Sequence, residues 1–428
     1  MKAFKKVFYT ILLVVMVVMV AIAGNSHKRK NIVKGSLSGG VAKVNITPEK
    51  PMPMAGYSDR IGSFSGVHDS IFATALVFSE GDKKAVIITT DLIGLSHTFC
   101  KETLDLIEKE TGIERGNILL TAAHNHGGPV TGAYKDTTDK GKLNYMGIVQ
   151  QKIVQIIVLA LQNLQPISIG YGKGTCSMNI NRRARFADGS MWLGRNPEGS
   201  CDHDVSVVRV DDMNKKPIAV FINWPCHGTV GGSKNTQITG DWPGSTARYV
   251  EKVLGNNVIA AVTAGASGNI NPIYGPNDKF EDIDAIGMLV GEEIVNVFNE
   301  IKTSSGGSIS CIKKTVSGKG KKQYDSRFPN QELQSGNDVD INLSVLRVGD
   351  ILIAGISGEL FTEIGMDIKT KSALKNTIVV THCNGNSGYL CTDEAYPLGG
   401  YEIMVTRTMP GTEGLIRENL LEMIHLVE

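Results

Sequence analysis

Charge of one sign is missing from this chain: 44 Lys and Arg stand against 43 Asp and Glu, a net charge of +1 over 428 residues. A polyanion partner such as nucleic acid needs a basic excess gathered on one face, so no nucleic-acid partner is expected. No CxxC spacing and no small-domain framework occurs among the seven cysteines, Cys100, Cys176, Cys201, Cys226, Cys311, Cys383 and Cys391. They read as small buried residues or free thiols, with one disulfide left open whose pairing the spacing does not choose. No repeat of fixed period is present, and no clear linker divides the chain after residue 40. Disorder is excluded for most of the length, because 42% hydrophobic residues are ample for a core. After the first segment, no run is expected to be long and apolar enough to cross a membrane.

That first segment is an export signal or an anchor. Lys2, Lys5 and Lys6 form a basic start, Val7 to Ala23 carries no charge, and Ala21-Ile22-Ala23 has the small-x-small form of a cleavage site. The uncharged run also approaches the roughly 20 residues of a bilayer span, and Lys28, Arg29 and Lys30 follow it. Cleaved signal and retained anchor therefore both stand. Either way residues 1–38 are leader plus basic linker, the body from about Gly39 lies outside the cytoplasm, and a retained anchor would hold it at a membrane surface. Oligomeric state is not written in the sequence.

One device recurs along the body. A short β-branched run ends in a polar, glycine-rich cluster: Lys84–Ile88 before Asp91, Asn117–Leu120 before His124 and His126, Pro217–Ile222 before His227, Val258–Val262 before Gly265–Pro272, Ile351–Ala354 before Glu359, and Thr377–Val380 before His382 to Tyr389. Continuous apolar runs of this length read as strands buried on both faces. Apolar spacing at i, i+3, i+4 predicts helices over 97–110, 147–164, 243–254, 282–301 and 415–427, with Asp241 and Pro243 as a start signal. Residues 313–340 are polar and read as a surface excursion. The fold class expected is α/β (α+β): mixed sheets flanked by helices in a single large domain over 39–428.

Ligands of open α/β sheets sit beyond the carboxyl ends of strands, where most of the chemistry-bearing residues here fall. His124-x-His126 puts two imidazoles two residues apart, so both can point one way. His227 closes a second run, and Glu359 a third. Two imidazoles and a carboxylate, each at the end of a buried run, make a candidate zinc site assembled from distant segments. Each also has a plain reading: surface or core histidines, and a helix first-turn carboxylate facing the dipole.

The order of short motifs resembles the amino-terminal catalytic domain of the neutral (non-lysosomal) ceramidase family. Carrying the resemblance are Gly40–Pro48, Met54–Tyr57, Gly66–Asp69, Thr90-Asp91-Leu92, Leu120–Pro129, Asn179–Arg182, Asn223–Thr229 with Thr239-Gly240-Asp241, Gly358–Thr362 and Ser387–Thr392. The resemblance implies a zinc enzyme hydrolysing the N-acyl amide of ceramide, with His124, His227, Glu359 and Tyr389 as zinc ligands. It implies that His126, Arg182 and Tyr401 surround the scissile amide. Asp91 is a candidate acceptor for a ligand histidine, or else a turn residue.

Three departures bear on substrate. The family's catalytic serine is replaced by Asn271 in Gly268-Asn269-Ile270-Asn271-Pro272, which leaves either an amide donor at the reacting carbonyl or a loop-shaping residue. The immunoglobulin-like carboxy-terminal domain of full ceramidases is expected to be absent, and the stretch between Glu359 and Tyr389 is short. The reaction expected is hydrolysis of an N-acyl amide, on a lipid or smaller molecule, by zinc-activated water. Two alternatives remain: a zinc esterase or deacylase acting on an acylated sugar or wall component, and a surface binding protein that keeps the metal cleft without turnover.

Overall fold

The computed structural model describes residues 36–132, 138–255, 257–323 and 327–428; the reading of the first segment as signal or anchor falls outside them. All six apolar runs are strands, Lys83–Thr90, Ile118–Ala122, Pro217–Trp224, Ile259–Ala264, Ile351–Ile356 and Asn376–Val380. Successive side chains of a strand point to opposite faces, and here both faces are covered. In Phe72–Glu80, Ala73, Ala75 and Val77 face a helical layer while Leu76 and Phe78 face a second sheet.

The larger sheet runs Ile259–Ala264, Pro217–Trp224, Asp204–Asp212, Gln165–Thr175, Leu37–Asn45, Phe72–Glu80, Lys83–Thr90, Ile118–Ala122, with Ser304–Ser305 added beside Gln165–Thr175. Its two outermost pairs are parallel and the inner ones antiparallel. The smaller sheet runs Ile309–Lys321, Ser335–Val348, Ile351–Ile356, Asn376–Val380, again with a parallel last pair. Ile87, Leu119, Val208 and Phe221 from the first meet Leu346, Val348, Ile353 and Ile378 from the second. Helices His97–Thr111 and Lys140–Gln162, then Asp241–Leu254 and Phe280–Glu300, cover the far face of the larger sheet. Thr362–Lys371 and Thr412–His425 cover that of the smaller. The result is four layers, helix, sheet, sheet, helix, the mixed architecture the sequence implies.

Three expectations are corrected. Residues 313–321 and 335–340 are not loop: they belong to the long antiparallel hairpin of Ile309–Lys321 with Ser335–Val348, in which Val316 pairs with Ile341 and Lys313 with Ser344. The polar alternation is that of strands with one wet face. The second helix starts seven residues early, at Lys140, because Asp139 caps it by accepting from the N–H groups of Gly141 and Lys142. That helix is also long and apolar enough to cross a membrane; Met146, Val149, Ile153, Ile156 and Ile157 are instead buried against the sheet. The seven cysteines are unpaired.

Candidate active site

Three loops at carboxyl ends of strands, those after residues 122, 224 and 356, converge. His124 follows Ile118–Ala122 in the left-handed region, at φ 58°, which turns its ring so that Nδ1 lies 2.7 Å from the Ile93 carbonyl. His227 is fully buried, its Nδ1 2.8 Å from the Ser267 carbonyl and 3.0 Å from that of Ile270. The two loops are stitched by His126 N–H to the Gly228 carbonyl at 2.9 Å and Gly228 N–H to the His124 carbonyl at 3.2 Å. Gly228 is required there, since a Cβ would sit 2.8 Å from the His124 carbonyl oxygen. Arg60 adds a clamp, donating to the carbonyls of Ala55, His126 and Gly232 at 2.8, 2.9 and 2.8 Å. The His126 ring lies on the backbone of Gly56, at φ 99°, where a Cβ would come within van der Waals overlap of Nδ1.

Glu359 does not sit in the first turn of a helix. It forms a short parallel bridge with Tyr389 and Leu390 before the helix at Thr362, which registers Glu359 directly beside Tyr389. Its Oε2 is 3.2 Å from His227 Nε2 and 3.4 Å from His124 Nε2, and His124 Nε2 is 3.2 Å from His126 Nε2. The three histidines offer ligand atoms within 4.8 Å of one another.

This donor set fits a dication. Carbonyl oxygens face the Nδ1 atoms of His124 and His227, so those nitrogens carry the protons and the Nε2 lone pairs face inward. The Glu359 carboxylate faces the same point. Lone pairs at 3.2–3.4 Å with no proton between them need a cation. Burial, then the nearby Arg182 and His124, pull the His227 imidazole down to about 3. His126 is held well below its ordinary value by burial and by its neighbours His124 and His227. Burial opposes the charge of Glu359, yet His124 and His227 hold its carboxyl well below the usual range. Neutral imidazoles at His126 and His227 beside an ionised Glu359 are the protonation state a metal requires.

Arg182 reaches the centre from strand Asn179–Arg185. Its Nη2 donates to the Tyr389 hydroxyl at 3.1 Å, its Nη1 to Asn271 Oδ1 at 3.1 Å and its Nε to Glu402 at 2.8 Å. Burial works against its charge, but Tyr389, Glu402 and Glu359 outweigh that and raise its pKa. The Tyr389 and Tyr401 rings meet edge to face at 5.9 Å. A cavity of about 420 Å³ opens onto the centre, lined among others by His126, Arg182, Asn271, Tyr389 and Tyr401. All eight residues singled out from the sequence therefore come together: His124, His227, Glu359 and Tyr389 at the centre, Arg182, Asn271 and Tyr401 on the cavity wall. His126 belongs to both, and Tyr389 also lines the cavity.

Asp91 is a correction. It touches no ligand histidine; its carboxylate accepts from Phe72 N–H at 2.8 Å, and the His124 partner is the Ile93 carbonyl. Three residues went unassigned from sequence. His382, at φ 52°, stacks its ring on His124 at 4.0 Å with an interplanar angle of 15°, and its buried Nε2 has no partner. Glu402 and Arg183 are buried beside Arg182. His382 stood in a strand-end cluster, which is a signal of place but not of role; Glu402 carried no signal beyond its adjacency to Tyr401.

The class of protein defined is a layered α/β body with an imidazole–carboxylate centre opening into a pocket of hydrogen-bond donors. Residues 38–312 match the family described as neutral/alkaline non-lysosomal ceramidase, N-terminal, and the chain belongs to that family. It is 26% identical over 260 residues to neutral ceramidase B of Dictyostelium discoideum, covering 55% of this chain and 34% of that protein. It is 25% identical over 224 residues to neutral ceramidase of Oryza sativa subsp. japonica, covering 50% and 28%. The matched stretch thus spans about a third of the length of these relatives. The crystal structure of neutral ceramidase from Pseudomonas aeruginosa superimposes with a TM-score of 0.77 at 19% identity, over 92% of this chain and 74% of that one. A ceramidase complexed with C2 gives 0.78 at 18%, over 92% and 75%.

Proposed function

We propose that this chain is an exported zinc-dependent hydrolase that cleaves the N-acyl amide of a ceramide-like lipid, held at the membrane surface where its N-terminal run is retained. The observation that carries the reading is the shared wall: His126 lies both in the imidazole–carboxylate cluster and on the cavity that Arg182, Asn271 and Tyr401 line. His124, His227, Glu359 and the Tyr389 phenol would hold zinc, which supplies Lewis-acid polarisation and a lowered water pKa when bound.

The chain's own groups do the rest. His126, neutral through burial, can take a proton at a ring nitrogen as water attacks and return it to the departing amine. Arg182, Tyr401 and Asn271 are donors for the oxygen of the acyl carbonyl as charge develops on it. The orientation of Asn271 follows from its partner. A guanidinium only donates, so Oδ1 faces Arg182 and Nδ2 remains the free donor. Residue 271 has no hydroxyl, and Ser267 is buried away from the cavity lining. The other aliphatic hydroxyls of the lining are those of Ser58 and Thr229; the reading is direct attack by water, with no acyl-enzyme at residue 271 or Ser267.

The test is a panel of ceramide, N-acyl amino acids and acylated sugars offered to the zinc-loaded full chain. Release of free amine from ceramide is expected. Turnover of acyl esters or acylated sugars alone would replace the reading with a deacylase, and binding without turnover of any of them with a binding protein.

A further inference from the structure

Adjacent residues of a strand point to opposite faces, yet Arg182 and Arg183 both reach one carboxylate. Glu402, 1% exposed, accepts from Arg182 Nε through Oε1 and from Arg183 Nη1 through Oε2, each at 2.8 Å. The cause is local: the pairing of Asn179–Arg185 with Met191–Asn196 slips between Asn181 and Arg183, and such an irregularity re-aims side chains. Arg183 then extends the tie, donating through Nη2 to the Gly399 carbonyl at 2.7 Å. Gly399 and Gly400 lead directly into Tyr401, and a Cβ on Gly400, at φ 103°, would sit 3.3 Å from Arg183 Nη1.

Resting on the amide-hydrolase reading above, we propose that Glu402 is the positioning residue of the pocket, fixing Arg182 and Tyr401 relative to each other. With Nε committed to Glu402, Nη1 to Asn271 and Nη2 to Tyr389, the planar fork has no rotational freedom. It keeps one N–H on each terminal nitrogen for substrate. Glu402 follows Tyr401 in the short helix Tyr401–Val405, and Arg183, held by the same carboxylate, donates to the Gly399 carbonyl two residues before Tyr401, so Glu402 ties the guanidinium to the segment that carries Tyr401. Nothing in Glu402 touches the reacting atoms; it acts through its neighbours.

The discriminating variant is Glu402→Asp in the full chain. It keeps the negative charge between two buried arginines but is one methylene too short to hold both. A displacement on the order of 1 Å costs roughly 10²-fold in turnover, so kcat should fall by about that factor with KM and zinc content kept. In an Arg182→Ala background the same change should cost markedly less than in wild type, leaving only the part that acts through Tyr401, the non-additivity of groups acting together. Lowered thermal stability with unchanged kcat per folded molecule, or additive losses, would overturn the proposal. A readout independent of turnover separates this from failure of the hydrolase reading. In arginine-labelled wild type, an Nε–H resonance assigned by its loss in Arg182→Lys should exchange slowly with solvent, and in Glu402→Asp it should exchange fast. Fast exchange in wild type, or equal protection in both, refutes the positioning role whether or not any substrate is found.

Discussion

Asn271→Ala separates a donor from a loop residue. If Nδ2 donates to the developing oxyanion, its removal should lower kcat by ~10²–10³, or about 2.7–4 kcal/mol of transition-state stabilisation. The expected stability cost is much smaller. Oδ1 accepts one N–H of Arg182 at 3.1 Å, and a bond to a charged group contributes about 1.5–3 kcal/mol when nothing replaces it. Here the residue is half-buried on an open cavity wall, so water reaches the freed N–H and the loss should be about 1 kcal/mol or less. Asn271→Asp sharpens the contrast: it retains an acceptor for Arg182 but has no Nδ2, so it should be at least as slow as Ala with no loss of stability. The assay is kcat on the best amide, with zinc content and urea midpoint measured on the same preparations. A wild-type rate per folded molecule in both variants would refute the donor role. An acylated peptide trapped on Ser267, or on any side chain, would refute direct attack by water.

His227→Ala should lose bound zinc, read by metal analysis after dialysis, because its Nε2 is one of the inward lone pairs; full occupancy would remove it from the site. Tyr401→Phe should keep zinc and lose roughly 10²–10³ in kcat, and an unchanged rate would exclude its hydroxyl from catalysis. Asp91 predicts a pH effect on stability. Burial raises its pKa to about 6 against the opposing Lys43 and Phe72 N–H, so between about 4 and 6 the folded chain binds the extra proton. Stability is then full below that window and declines as pH rises through it, by about 2–3 kcal/mol for this group. Asp241, also raised to about 6 by burial, adds the same sign. Buried His126, His227 and His382, all held below the ordinary imidazole range, act with the opposite sign, so the readout is a difference: urea unfolding at pH 4.5 and 7 should show Asp91→Asn gaining stability relative to wild type as pH rises, and an unchanged pH difference would contradict the assignment.

What the sequence could carry was set by how local each feature is. Strands buried on both faces announce themselves as short apolar runs, so six were legible, and with them the strand-end placement of His124, His227 and Glu359. Strands with one wet face did not: residues 313–321 and 335–340 looked like loop because their alternation is mostly polar, and only pairing across the hairpin reveals them. Tyr389 and Tyr401 were visible through family resemblance alone, since their roles depend on a parallel bridge to Glu359 and on Arg182 between them. Glu402 was illegible for a physical reason. A buried carboxylate is tolerated only with its partners, and those lie 219 and 220 residues away. His382 was hidden likewise, its stacking on His124 depending on a left-handed backbone no residue type demands.

The central claim is that one metal ion held by His124, His227 and Glu359 drives amide hydrolysis. Titrating zinc into chelator-stripped full chain while following fatty acid release from ceramide tests it most directly. Activity should rise linearly from near zero and stop at one equivalent per chain. Release that is unaffected by stripping and adding zinc, or one equivalent bound without any release, would contradict the account.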